Sequence, residues 1–233
     1  DEVNSFSPDF VHLQYDDLYP VLDWISCPNK AATSHFGYLE VPHHLLGGYE
    51  RIFRGFVNGN FKIFCLSEGI RQVYLNGGAD PSRLYVTPNG ARSDLFEYYD
   101  SPEFPDKSIY LAKITDRKKQ YIYQDLEFIH FAGNQDDARF NFNRSNYLGE
   151  WTKDKLYKEL SKYSNLVLLS DGEAHPLVCC EALICGLGLV VSEYASGNLD
   201  RSLPFIEIIP NDKLHDLDYV SESIRRNQGI SNR

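Results

Sequence analysis

The chain has 233 residues, 42% hydrophobic and 24% charged, with a formal net charge of -10. That composition is enough to bury a core, and the acidic balance argues against a nucleic-acid partner, whose phosphates need a basic face. No apolar run approaches the roughly 18 residues that span a bilayer, so no transmembrane segment is expected.

Five cysteines, Cys27, Cys65, Cys179, Cys180 and Cys185, have neither zinc-ligand spacing nor a disulfide framework. This pattern suits a reducing, cytoplasmic compartment. The sequence opens on Asp1 and contains no methionine. It therefore reads as a fragment, or as a sequence from which the methionines are missing.

Short apolar runs at Phe10 to Leu13, Ala32 to Ser34 and Ile63 to Leu66 read as the first strands. His12 lies in the first run and His35 just after the second. A histidine at the carboxyl end of a strand can face the crevice where doubly wound folds bind ligands. His43-His44 has no spacing partner for a metal, and Asp16-Asp17 and Asp136-Asp137 are adjacent pairs, so no metal site is expected. Pro88-Asn89-Gly90 is a turn signal, and Asp94 to Lys107, with Pro102 and Pro105, reads as a linker. The expected division is a lean domain over 1–98 and a second over 99–233.

Further strands are expected at Ile109 to Ala112, Phe128 to Ala132, Leu166 to Leu169, Leu189 to Ser192 and Phe205 to Ile209. Alternation with helical patterns predicts an α/β chain built on parallel sheets. The run from Ser108 to Ala112 leads into Lys113, Arg117, Lys118 and Lys119, a basic turn able to neutralise a diphosphate leaving group or simply to face water. Gly133 can let the backbone approach a phosphate, and Gly149, within Asn146 to Trp151, can place main-chain groups against a base. Either glycine can equally end a strand.

The most informative stretch is Leu168 to Leu183, in which Glu173 and Glu181 flank a strand-to-helix junction. Pro176 sits where prolines favour the first turn of a helix, ahead of Leu177 and Val178. The unpaired N–H groups of such a helix start, together with its dipole, stabilise phosphate. The two glutamates can then accept hydrogen bonds from sugar hydroxyls on either side of a diphosphate.

This Glu-x7-Glu spacing, followed by Ala182-Leu183 and by Gly186 and Val190-Val191, resembles the retaining glycosyltransferases of the GT-B fold, specifically the glycosyltransferase 4 type. The resemblance is strong in this segment and weaker before it. It implies two Rossmann-like domains, parallel sheets with helices on both faces, and an N-terminal domain that is truncated. It also implies a metal-independent transfer of a hexosyl unit from a nucleotide-diphosphate sugar to a glycan or other hydroxyl acceptor, without a further cofactor.

By the same resemblance Glu173 contacts the donor sugar and Glu181 the ribose, although Ala174-His175-Pro176 replaces the family's Gly-Phe-Gly. The family's Gly-Arg-Leu-x-x-x-Lys pattern falls on Ala112, Lys113 and Lys118, and Arg117 can supply the bidentate phosphate contact that Lys113 lacks. Thr33 to Gly37 resembles the family's Thr-x-His-Gly segment, which favours His35 over His12 beside the reacting sugar. Val86 to Ala91 resembles the turn that closes the first domain. Ser196-Gly197-Asn198 is a further loop that can touch the sugar. A nucleotide-sugar-binding domain without transfer activity is the alternative, and an epimerase or phosphorylase on the same fold is a third reading.

Overall fold

The structure is a computed structural model that describes residues 2–37, 48–230 and 232–233. It divides into two units, one comprising the residues up to Pro88 together with Gly172–His175, the other Asn89–Asp171 with Pro176–Arg233. Each has its own hydrophobic core.

The first unit carries a parallel sheet of β1 (Val11–Leu13), β2 (Lys30–Ser34), β3 (Lys62–Cys65) and β4 (Leu84–Val86), in that order. Its helices are α1 (Glu2–Phe6), α2 (Gly48–Asn58) and α3 (Glu68–Asn76), with a 3-10 segment at Asp16–Trp24. Ala31 to Ser34 is a continuous buried run, as a parallel strand covered on both faces requires. On α2 the buried Ile52, Phe53, Phe56 and Val57 form one apolar stripe. Ser67 caps α3 by accepting a hydrogen bond from the Ile70 N–H at 3.2 Å. Tyr74 of α3 stacks on Phe53 and Phe56 at 5.3 and 5.9 Å between ring centres. Its hydroxyl meets Ser34 Oγ at 3.0 Å, so the buried phenol keeps a partner.

The second unit holds β5 (Phe104–Leu111), β6 (Ile129–Ala132), β7 (Tyr163–Leu168), β8 (Gly188–Ser192) and β9 (Ile206–Ile209), all parallel, in the order β6-β5-β7-β8-β9. Among the described residues they are accompanied by α4 (Gln120–Tyr123), α5 (Lys153–Glu159), α6 (Leu177–Ile184) and α7 (Leu217–Gln228). Every residue of β7 is buried, including Asn165. Its amide nitrogen donates to Ile224 O at 3.1 Å and to Asn227 Oδ1 at 2.9 Å, which fixes α7 on the sheet. After β5 the chain adds β6 on one side and then crosses to β7 on the other. Such a reversal opens a crevice outside the carboxyl ends of β5 and β7, where doubly wound folds bind ligands.

Eight of the nine strands among the described residues fall where apolar runs predict them, within a few residues. The exception is β4, whose three residues bury only Leu84 and give too short a signal. The expected linker at 94–107 needs correction, because β5 begins at Phe104 and pairs there with Tyr163. A register shift between Phe104 and Ser108 accommodates Pro105, which cannot donate to a regular ladder. Residues 89–98 group with the second unit, whereas the sequence division fell at 98/99. Glu97 N donates to Tyr157 O at 2.8 Å, and the Phe96 and Tyr157 rings lie 4.9 Å apart. The break between units instead falls inside the turn that resembles the close of the family's first domain.

Three histidines contribute to a pH response. Burial holds His12, His130, beside the Tyr163 hydroxyl at 3.0 Å, and His175 below the ordinary value of 6.5. As pH falls through about 6.5 the unfolded chain binds protons before these rings do, so stability decreases on acidification. Buried carboxyls act in the opposite sense, at the lower pH where they titrate. Replacing His130 by glutamine is expected to flatten the fall of Tm between about pH 7.5 and pH 5.5. An unchanged slope would reject the assignment.

Candidate functional site

At the carboxyl end of β5 the basic turn is held rigidly. Thr115 caps it, its Oγ1 accepting from Lys118 N at 3.3 Å, and Lys119 takes a left-handed conformation at φ 54°. The buried Gln120 side chain donates to Lys113 O at 2.9 Å. Tyr110, fully buried on β5, accepts from Leu169 N at 2.9 Å and donates to Lys118 O. Asp171 N donates to Arg117 O at 2.9 Å, and Lys119 Nζ pairs with the Asp171 carboxylate at 2.8 Å. The turns that follow the two switch-point strands are thus bonded to each other.

The four cations of the turn differ in setting. Lys118 is buried and Arg117 half-buried, whereas Lys113 is exposed and pairs with Asp136 at 2.6 Å. After β6, Gly133 N donates to Gly149 O at 3.1 Å, and the Tyr147 hydroxyl donates to Gly133 O at 2.9 Å. Gly149 has φ +77°, a conformation that favours glycine.

Helix α6 starts at Leu177 with Pro176 as its N-cap residue, one position ahead of the first turn. The first N–H groups of an α-helix have no acceptor within the helix. Beside this start lies a pocket of about 330 Å³, lined by apolar Leu111, Leu156, Leu177 and Val178, by Trp151, Thr152 and Lys153, and by Glu181. Burial raises the Glu181 carboxyl above its ordinary range, and Lys153 opposes the shift. The second unit therefore brings Leu177, Val178 and Glu181 to one cavity, while Lys113, Arg117, Lys118, Gly133 and Gly149 occupy turns after β5 and β6. Sequence reasoning missed Thr152, Lys153, Tyr110 and Asp171. Thr152 did carry a signal, an N-cap residue directly before a polar helix, and its Oγ1 accepts from Lys155 N at 3.3 Å.

In the first unit a cavity of about 430 Å³ opens past the ends of β1 and β2, lined by Gln14, Tyr15, Asp16, Asp17, His35, Phe36, Tyr49 and Ile52. His35 lies in it and His12 does not. His12 Nε2 meets Thr33 Oγ1 at 2.8 Å, and its ring lies edge-on to Phe64 at 5.0 Å, a packing role. Asp16 is buried, its Oδ2 accepting from His35 N at 2.6 Å, and burial raises its carboxyl. Glu173 groups with this unit, and a Cβ on Gly37 would lie 1.9 Å from the Glu173 carbonyl carbon. Glu181 groups with the other unit. His43-His44 lies outside the described residues.

No family model and no curated protein matches the sequence. Solved structures do match. TarM superposes with a TM-score of 0.73 at 13% identity, covering 97% of this chain and 50% of that one. HepE from Anabaena, in complex with UDP and glucose, gives 0.69 at 13% identity, with 97% and 73% covered. Sucrose-phosphate synthase from Thermosynechococcus elongatus gives 0.70 at 14%, with 96% and 66% covered.

The chain has the GT-B fold.

The chain spans half the length of TarM and about two thirds of the synthase. Among the described residues no helix is long and apolar enough to cross a membrane.

Proposed function

We propose that the chain forms the core of a glycosyltransferase of the glycosyltransferase 4 type, moving a hexosyl unit from a nucleoside-diphosphate sugar to a hydroxyl acceptor with retention at the anomeric carbon. The observation that carries this reading is the pocket beside the start of α6, where Glu181, Trp151, Leu177 and Val178 converge with Leu111 at the end of β5. Support also comes from the fold, since HepE is described with UDP-glucose and a TarM variant with fondaparinux, alpha-GlcNAc-glycerol and UDP.

In the reaction the bond between the anomeric carbon and the phosphate oxygen breaks, and a bond to the acceptor oxygen forms. The nucleoside diphosphate leaves with the electron pair, and the acceptor hydroxyl proton is released. Charge building on the leaving oxygen is balanced by Lys113, Lys118 and Arg117 and by the N–H groups at Leu177 and Val178, with Pro176 directing the chain into the helix. These cations make a metal ion unnecessary in this reading. Gly133 and Gly149 admit the nucleotide to the backbone, Glu181 accepts from the ribose hydroxyls, Glu173 from the donor sugar, and His35 lies near the reacting sugar.

Calorimetric titration of UDP, GDP and ADP into the wild type and Glu181→Gln tests the donor site. One nucleotide is expected to saturate, and the variant to bind it at least about tenfold more weakly, about 1.4 kcal/mol. Stability should move the other way. The Glu181 carboxyl is raised by burial, so the contribution of its protonated form is present below the unfolded value and lost as pH rises through the folded one. Glu181→Gln should therefore melt higher than wild type near pH 7 and lose that advantage near pH 4. Absence of nucleotide binding, or equal affinity in the variant, would sink the assignment.

One observation favours the second reading, a binding module without transfer. Lys113, at the position of the family's arginine, is engaged by Asp136 at 2.6 Å. Product formation from donor and acceptor separates the two readings, since a module binds nucleotide without turnover.

A further inference from the structure

We propose that Asp136 is a positioning residue that holds Lys113 as a resident counter-anion and releases it when a diphosphate binds, so that Asp136 lowers the affinity of the site for nucleoside diphosphates. The inference rests on the nucleotide site proposed above and is independent of whether transfer follows. Lys113 lies just past the carboxyl end of β5 and Asp136 in the loop that follows β6, and the two side chains meet at 2.6 Å.

The backbone that presents this contact is fixed on both sides. Ile114, next to Lys113, donates its N–H to Asn134 O at 3.0 Å and forms a parallel bridge with Gln135. Pairing between the chain after β5 and the chain after β6 therefore continues up to the residue before Asp136. On the other side, Asp137 accepts a bidentate contact from Arg139, Nε to Oδ1 at 2.9 Å and Nη2 to Oδ2 at 2.7 Å. The same guanidinium stacks over the Tyr121 ring at 3.8 Å. Lys113 O in turn accepts from the Gln120 side chain at 2.9 Å. The fold thus sets Asp136 against Lys113 with little backbone left to order.

A second pair joins the same two segments with the charges reversed, since Arg139 Nη2 also meets Asp116 Oδ1 on the basic turn. One pair masks a cation of the turn and the other masks an anion. They differ in how easily they open. Arg139 is a planar fork, stacked on a ring and shared with Asp137, whereas Lys113 is a point charge on a flexible stem. Lys113 and Asp136 are 51% and 54% exposed, so water screens their attraction and a more highly charged anion can replace the carboxylate. Diphosphate binding then exchanges one ion pair for another, and it leaves the Asp136 carboxylate as a like charge beside the ligand. Both effects oppose binding, and both weaken retention of a nucleoside diphosphate product.

Calorimetric titration of UDP, GDP and ADP into the whole chain at low salt tests this, with Asp136→Asn and Asp136→Glu compared with the wild type. Asparagine keeps the size and removes the charge. The nucleotide that saturates the wild type is expected to bind Asp136→Asn about two- to fivefold more tightly, the scale that an exposed ion pair allows. Glutamate keeps the charge and is expected to leave the affinity near that of the wild type. The direction of the change separates this role from a structural one, because loss of a residue that merely braced the loop would weaken binding. Unchanged or weaker binding in Asp136→Asn, or an equal gain in Asp136→Glu, would overturn the proposal and leave the donor site standing. If no nucleotide saturates the wild type, the donor site falls and this inference falls with it.

Discussion

Replacing Gly133 by alanine is expected to destabilise the second unit by roughly 2–6 kcal/mol, the sum of an overpacking cost and a backbone-strain cost. A Cβ built there would lie 1.9 Å from the Ala112 carbonyl oxygen and 2.6 Å from its carbon, both backbone atoms at the end of β5. Gly133 also holds φ +154°, which side chains with a Cβ rarely adopt. The strand end cannot retreat cheaply, because Ala112 N is bonded to Ala132 O at 3.0 Å and Ile114 N to Asn134 O at 3.0 Å. Denaturant unfolding followed by circular dichroism would measure the loss, and a midpoint within error of wild type would refute it. Because the displaced strand end leads into the basic turn, nucleotide affinity should weaken as well.

Tyr110→Phe is expected to cost about 2–6 kcal/mol, and to weaken nucleotide binding without altering any residue that lines the pocket. The hydroxyl joins Leu169 N on one side and Lys118 O on the other, at the centre of a fully buried site. Phenylalanine fills the same space but leaves a donor and an acceptor without their partner, and each orphaned buried group costs about 1–3 kcal/mol. Between the two turns the Asp171 N to Arg117 O bond and the Lys119 pair with Asp171 would remain. Unfolding and calorimetry on the same variant separate the two effects. A stable protein with wild-type affinity would mean that the turn is positioned by something else.

The second unit was legible because its strands are buried on both faces. Leu166 to Leu169 and Leu189 to Val191 are unbroken apolar runs, and parallel strands in a doubly covered sheet require them. Turn chemistry was less legible. Asp94 to Lys107 carries Pro102 and Pro105 and reads as linker, yet a register shift in the ladder lets Pro105 sit inside β5. Local composition had no knowledge of the partner strand at Tyr163.

The candidate site divides along the same line. Glu181, Leu177 and Val178 sit in one segment, so their spacing on a helix start could be read directly and the structure places all three on one pocket. Trp151, Thr152 and Lys153 come from another loop, and their convergence on Glu181 is a product of packing. His35 and His12 looked alike in sequence, each beside an apolar run. The structure separated them by giving His12 a ring partner in Phe64 and a hydroxyl in Thr33, and His35 a cavity.

By itself the sequence determined where eight of the described strands lie, that they alternate with helices, and which helix start carries Glu181, because hydrophobic periodicity and capping act over a few residues. The tertiary structure alone decided the strand order that creates the switch point, the Tyr110 link between two distant turns, and the aromatic and acidic residues that share the first unit's cavity. Those features depend on contacts between segments far apart in the chain, and such contacts leave no local pattern to read.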